Sequence, residues 1–205
     1  NGYYIQETQA PYAYIRNSKD VYSFNFNVLP ETQAKATFSH TFNNDRTTAK
    51  IHIYKVDKET GKAVPQGDAS LSGAVYGLYA REVINHPDGA TGVMFNAGDL
   101  VATLTTDEKG EAEVNNLYLG KYYVKEITPS EGYLLDEEEH DVVCDYEGDL
   151  VAEVSRSTTS AEQVIKQPFQ LIKVSDNGDD TEAGLLAGAE FTAYLKSSLS
   201  VKADG

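Results

Sequence analysis

Two lysines stand where strand alternation calls for apolar side chains. In IHIYKVD, Ile51 to Asp57, a pleat period of two puts Lys55 in phase with Ile51 and Ile53, and in FQLIKVSD it puts Lys173 in phase with Phe169 and Leu171. Burial disfavours the ammonium form, so an amine held among apolar groups tends toward the neutral state, in which it is a nucleophile. Lysines near strand ends also commonly lay the stem on apolar surface and keep the head in water. Each of these two is followed by Val and then Asp or Ser-Asp, which marks a repeated part rather than two accidents. Glutamates recur in the same way. GYYIQETQAPYAY from Gly2 returns as KYYVKEITPSEGY from Lys121, aligning Glu7 with Glu126 at a spacing of 126 − 7 = 119, against 173 − 55 = 118 for the lysines. Tyr3, Ile5 and Glu7 share one strand face, and so do Tyr122, Val124 and Glu126.

The elements that must carry these residues are strands. Short segments rich in Val, Ile, Thr, Tyr and Phe are punctuated by Gly, Asn, Asp and Pro, and no long helical periodicity stands out, so an all-β fold is expected. A third echo, LSGAVYGLYA from Leu71 and LAGAEFTAYL from Leu186, completes a unit. Its order is lysine strand, Gly-Ala strand, Tyr-Tyr-x-x-Glu strand, closing strand. One whole unit spans residues 49–167. Residues 1–48 hold the end of an earlier one and 168–205 the beginning of a later one, as expected of a segment from a longer array. Within the whole unit the pattern predicts a meander: a strand into Thr105, a turn over Asp107 to Gly110, a strand through Val114 and a turn at Gly120.

Composition removes several classes of function. A formal net charge of -15 with no basic patch argues against nucleic acid and anionic membrane as partners. With Cys144 the single cysteine there is no internal disulfide and no multi-cysteine metal site, and Cys144 is expected to be a small core residue. No apolar run is long enough for a membrane span. His40, His52, His86 and His140 lack ligand spacing, and SDNGDDTE from Ser175 reads as a solvated acidic turn, so no metal is expected. LPETQ from Leu29 resembles a sorting signal but lacks its glycine and apolar tail, and is expected to be a loop. No phosphate loop and no Ser-His-Asp set is present, so neither cofactor nor turnover catalysis is expected.

IYKVDKETGKAV, SGAVYGLYA, TTDEKGEAEVNNLYLGKYYVKEITPSEGYLLD and FQLIKVSD resemble the Cna B-type, or SpaA-like, prealbumin-like domains of Gram-positive surface adhesins and pilins. The resemblance implies tandem β-sandwiches, one complete and two partial, in an extracellular, cell wall-attached stalk. It implies neighbouring domains of the same surface protein as partners, and no enzymatic activity. It also implies isopeptide chemistry: a buried lysine amine attacks an asparagine or aspartate side chain on the last strand, while a buried acid moves the protons. By that resemblance Lys55 and Lys173 match the nucleophile, Glu7 and Glu126 the promoting acid, and Asn44 of FSHTFNND the acceptor, with Asn43 as runner-up. Between Leu150 and Lys173 there is neither asparagine nor aspartate, and Glu162, Gln163 or Lys166 occupies the acceptor's place. The central unit is therefore expected to hold Lys55 and Glu126 as an uncrosslinked buried pair. The cut flanks carry complementary parts, Glu7 with Asn44 at one end and Lys173 at the other, so strand exchange between chains is a further expectation. An alternative makes the long stretch from Tyr79 to Asp99 a binding surface for carbohydrate or host matrix protein. A transthyretin-like hydrolase would need a His, Arg and Ser cluster, which the sequence lacks.

Overall fold

The computed structural model describes residues 2–25, 37–176, 178 and 187–194, and contains no helix among them. LPETQ and most of the acidic stretch after Asp176 lie outside the described residues. The chain divides into two compact units, residues 1–165 and 166–205.

The first unit is built on two facing sheets. One has the order β10-β9-β4-β7, from β4 (Val75–Ala80), β7 (Leu100–Thr105), β9 (Gly120–Thr128) and β10 (His140–Cys144). The other has the order β11-β3-β8, from β3 (Thr48–Asp57), β8 (Glu111–Leu117) and β11 (Glu153–Glu162). Between them lies a core that includes Ile51, Ile53, Tyr76, Leu78, Tyr122, Val124 and Leu117, with Cys144 buried beside them. Ile51, Ile53, Tyr122 and Val124 are fully enclosed, as strand alternation requires, and burial lifts the Cys144 thiol to about 11. Two smaller ribbons complete the described strands: β1 (Gly2–Gln6) with β2 (Val21–Asn25), and β5 (Ile84–Asn85) with β6 (Val93–Phe95).

Two features of the topology position the site. β3 and β11 run parallel in continuous register from Thr48 opposite Glu153 to Asp57 opposite Glu162. The meander expected over Leu100 to Val114 is corrected: its strands and turn fall where the pattern places them, but β7 pairs with β4 while β8 pairs with β3 on the opposite sheet. The turn is thus an arch between sheets. Thr106 turns the chain by donating to the carbonyl of Leu71 at 2.6 Å and accepting from the backbone N–H of Ala74 at 3.0 Å. At the end of the arch the Lys55 N–H donates to the Gly110 carbonyl at 2.8 Å. Gly110 has a left-handed φ of 77°, and a Cβ there would stand 2.7 Å from the Lys55 carbonyl oxygen, so glycine is required.

Candidate functional site

Lys55 occupies the core side of β3, where Ala49, Ile51, Ile53, Lys55 and Asp57 alternate as buried positions. Its side chain is fully enclosed and meets two carboxylates that are equally enclosed. Glu126 comes from β9 on the facing sheet, with Oε1 3.6 Å from Nζ. Glu162 comes from the end of the neighbouring β11, with Oε2 in contact with Nζ. The parallel register places Ser160 opposite Lys55 and Glu162 opposite Asp57, so Glu162 lies one step diagonally along the same face. Among the described residues, Nζ, Oε1 of Glu126 and Oε2 of Glu162 have no other hydrogen-bond partner.

The remaining oxygens are held. Oε1 of Glu162 accepts from the Tyr76 hydroxyl at 2.5 Å, and Tyr76 is the register partner of Glu126 on the facing sheet. Oε2 of Glu126 accepts from the backbone N–H of Asp136 at 2.8 Å. The Ser160 hydroxyl stands between Oδ2 of Asp136 at 2.7 Å and Oε1 of Glu162 at 3.3 Å. Tyr133, from PSEGYLLD, closes the end of the chamber with its ring centre 4.7 Å from Nζ, and its hydroxyl donates to Asp57 at 3.2 Å. Asp57 Oδ1 also accepts the backbone N–H groups of Glu59 and Thr60, fixing the turn after β3.

Burial governs the electrostatics here. It pushes the Lys55 amine below its ordinary value, against the opposing attraction of Glu126 and Asp136. It pushes the Glu126 carboxyl up, offset in part by the Asp136 N–H and by Lys55. The Tyr76 hydroxyl is raised by burial as well, which keeps it a proton donor. Asp136 goes the other way: burial raises it, but hydrogen bonds from His140, Ser160 and the Glu138 N–H hold it below the usual carboxylate value. Burial in the chamber thus works against the charged forms of the Lys55 amine and the Glu126 carboxyl.

A second arrangement lies near the N-terminus. The Asn44 amide nitrogen donates to both carboxylate oxygens of Glu7, at 2.9 and 2.7 Å, and to the Ile15 carbonyl at 2.8 Å. Glu7 also accepts the backbone N–H of Asn17 at 2.7 Å. The Asn43 carbonyl accepts from the Asn17 side chain at 3.2 Å. Among the described residues no cation pairs with Glu7. Lys173, in the second unit, is exposed and donates to the Val174 carbonyl at 3.1 Å.

Of the residues singled out by pattern, Lys55 and Glu126 come together, and so do Glu7 and Asn44. Pattern alone did not pick out Tyr76, Tyr133, Asp136 or Ser160, nor decide among Glu162, Gln163 and Lys166. A signal existed for the last: Glu162 follows Glu126 by 162 − 126 = 36 residues, while Asn44 follows Glu7 by 37. Gln163 instead donates to Glu59 at 2.7 Å on the exposed side.

A family model described as SpaA, prealbumin-like fold domain, matches residues 49–158, more than half of the chain. Among solved structures, the Bacillus anthracis TIE protein superposes with a TM-score of 0.54 at 23% identity, over 80% of this chain and 25% of that one. The pilus 2b backbone protein of group B streptococcus gives 0.41 at 22% identity, covering 60% and 43%. The minor pilin GBS52 of Streptococcus agalactiae gives 0.38 at 23% identity, covering 62% and 49%. The chain therefore spans between a quarter and a half of these solved chains. No curated protein matches its sequence.

Proposed function

The chain belongs to the SpaA family of prealbumin-like fold domains, and from that membership we propose that it is a load-bearing stalk segment of a Gram-positive cell-surface adhesin or pilin-like protein. The observation that carries the reading is the parallel pairing of the first and last strands of the central sandwich over ten residues. Tension entering at Thr48 and leaving at Glu162 pulls the two strands in opposite directions along their axes. The whole ladder of hydrogen bonds is then loaded together in shear instead of being opened one bond at a time. A segment built this way suits an extracellular, wall-attached rod in which neighbouring domains of the same protein are the main partners.

Residues 1–48 and 168–205 serve as parts of the adjoining domains. In the first of these Glu7 and Asn44 await a lysine-bearing strand, and in the second Lys173 supplies one, so both flanks carry parts for Lys-Asn crosslinking. Two chains could exchange strands at these ends. A denaturing-gel ladder that disappears in Lys173→Ala or Asn44→Ala would support the exchange, and a lone monomer band rejects it.

A second reading has its own observation. A cavity of about 290 Å³, lined by Tyr12, Ile84, His86, Tyr118 and Lys121, opens at the base of the 79–99 stretch and suits a polar ligand such as a sugar. Single-molecule stretching of the chain by its ends, paired with a glycan and matrix-protein array, separates the two. High resistance without binding is expected. Easy extension together with saturable binding would overturn the stalk in favour of the binding module.

A further inference from the structure

Two folded parts joined by a single strand move relative to one another unless contacts hold the crossing. At the entry to the central sandwich the chain crosses at Arg46 and Thr47, just before β3. β3 is the middle strand of its sheet, with β8 on one flank and β11 on the other. We infer that Arg46 and Asp149 clasp these two flanks, so that residues 1–48 and the central sandwich move as one body. The inference rests on the stalk reading, in which residues 1–48 belong to an adjoining domain, and it makes that joint a stiff one.

On the β8 flank the Arg46 guanidinium donates through Nη1 to the Leu117 carbonyl at 2.8 Å. Through Nη2 it donates to the Asn116 carbonyl at 2.9 Å and to the Asn116 side chain at 2.6 Å. The guanidinium carbon also lies 4.2 Å from the centre of the Tyr118 ring, a fork and a stacking contact that lysine could not reproduce. On the other flank Asp149 sits in the loop leading into β11. Its carboxylate accepts the Ala10 backbone N–H at 3.1 Å and pairs with Arg16 Nε at 3.7 Å, and its carbonyl accepts the Arg16 backbone N–H at 2.8 Å. The Tyr12 and Tyr146 rings meet in the same region at 4.9 Å. Between the flanks the backbone N–H of Thr47, a buried residue, donates to the Ala13 carbonyl at 2.8 Å. The backbone is constrained at the same place. Among the described residues, the non-glycine positions with a left-handed φ are Ala13 at 64° and Asn116 at 58°. Asparagine adopts that conformation readily, whereas alanine has to be held in it by its surroundings. Bending toward either flank therefore has to open the clasp on the other.

The backbone frame of this joint recurs at the far end of the sandwich, and the clasps do not. The Leu134 N–H donates to the Gln163 carbonyl at 2.9 Å, as Ile15 does to Asp45 at 2.8 Å, and Ile165 donates to Gly132 as Thr47 does to Ala13. In that alignment Leu135 and Val164 stand where Arg16 and Arg46 do. The frame belongs to the repeated unit, and the arginines belong to this joint.

Residual dipolar couplings of the full chain in weakly aligned solution test the joint, measured on backbone amides of β1 and β2 and of the central strands. In the wild type a single alignment tensor is expected to fit both sets. In the Arg46→Ala, Asp149→Ala double variant the couplings of β1 and β2 are expected to shrink relative to those of the sandwich and to need a tensor of their own, while Ile53 keeps its slow amide exchange. Asp149→Asn, which keeps an acceptor for the Ala10 N–H, should retain the single tensor. Separate tensors in the wild type overturn the inference, and that result needs no variant to fold. A folded double variant that still fits one tensor overturns the roles given to Arg46 and Asp149. The stalk reading fails separately: a chain with one tensor that extends easily and binds glycan keeps its stiff joint and is no stalk.

Discussion

Glu126 and Glu7 are hooked into the chain in the same way and surrounded differently. Each accepts the backbone N–H of the residue ten positions on, Asp136 at 2.8 Å and Asn17 at 2.7 Å; Glu7 also accepts from Asn44, 37 residues on, whereas Glu126 shares Lys55 with Glu162, 36 residues on. Around Glu126 a lysine strand closes the chamber, and the glutamate is 3% exposed. Around Glu7 the described residues supply no such strand. Instead Tyr3, Phe24, Tyr22 and His40 stack along a surface on which Tyr3 is 49% exposed. The glutamate and its turn are therefore local features, held by ten residues of chain. The electrostatic perturbation is not local, because burial has to be supplied by a strand from far away in sequence.

The comparison predicts very unequal costs. Removing the amine with Lys55→Ala leaves two enclosed carboxylates without a cation and should destabilise the first unit by about 3–5 kcal/mol in denaturant titration. A loss below about 1 kcal/mol would mean that the chamber is wet. Gly110→Ala puts a side chain into a left-handed turn against the Lys55 backbone and should cost about 1–3 kcal/mol. Asn44→Ala, at the half-open site, should cost about 1 kcal/mol. Its effect should show as faster amide exchange at Asn17 with none at Ile53, and a global change would join the two sites more tightly than described here. The smallest effect concerns Asp57. Burial opposes its ionisation, yet hydrogen bonds from Thr60, Gln66 and Tyr133 outweigh that and hold the carboxyl below 3.8. Its folded value is thus depressed, so its contribution is present above the ordinary aspartate value and is lost as the pH falls below it. Asp57→Asn should flatten the acid end of a stability-pH curve and leave the neutral region shallow.

Local alternation was enough to place Lys55, Glu126, Tyr122 and the β3 core face, because the pleat period is written in neighbouring residues. Strand partners were harder. β3 and β11 are brought together across about a hundred residues, and nothing in either strand's own pattern announces a parallel neighbour. The β7 to β8 turn has the residues of a hairpin, and the Thr106 contacts with Leu71 and Ala74 help to carry it across to the other sheet. Glu162 was visible by spacing but has the wrong side chain for an asparagine search. Tyr76 and Ser160 carry no motif and matter only through register with Glu126 and Lys55.

The most direct test is an NMR spectrum of folded protein labelled with 15N at the lysine side-chain nitrogens. The account predicts one lysine Nζ whose titration lies below the ordinary lysine range because the amine is enclosed, a signal absent in Lys55→Arg. A spectrum in which every lysine nitrogen titrates in the ordinary lysine range would contradict it.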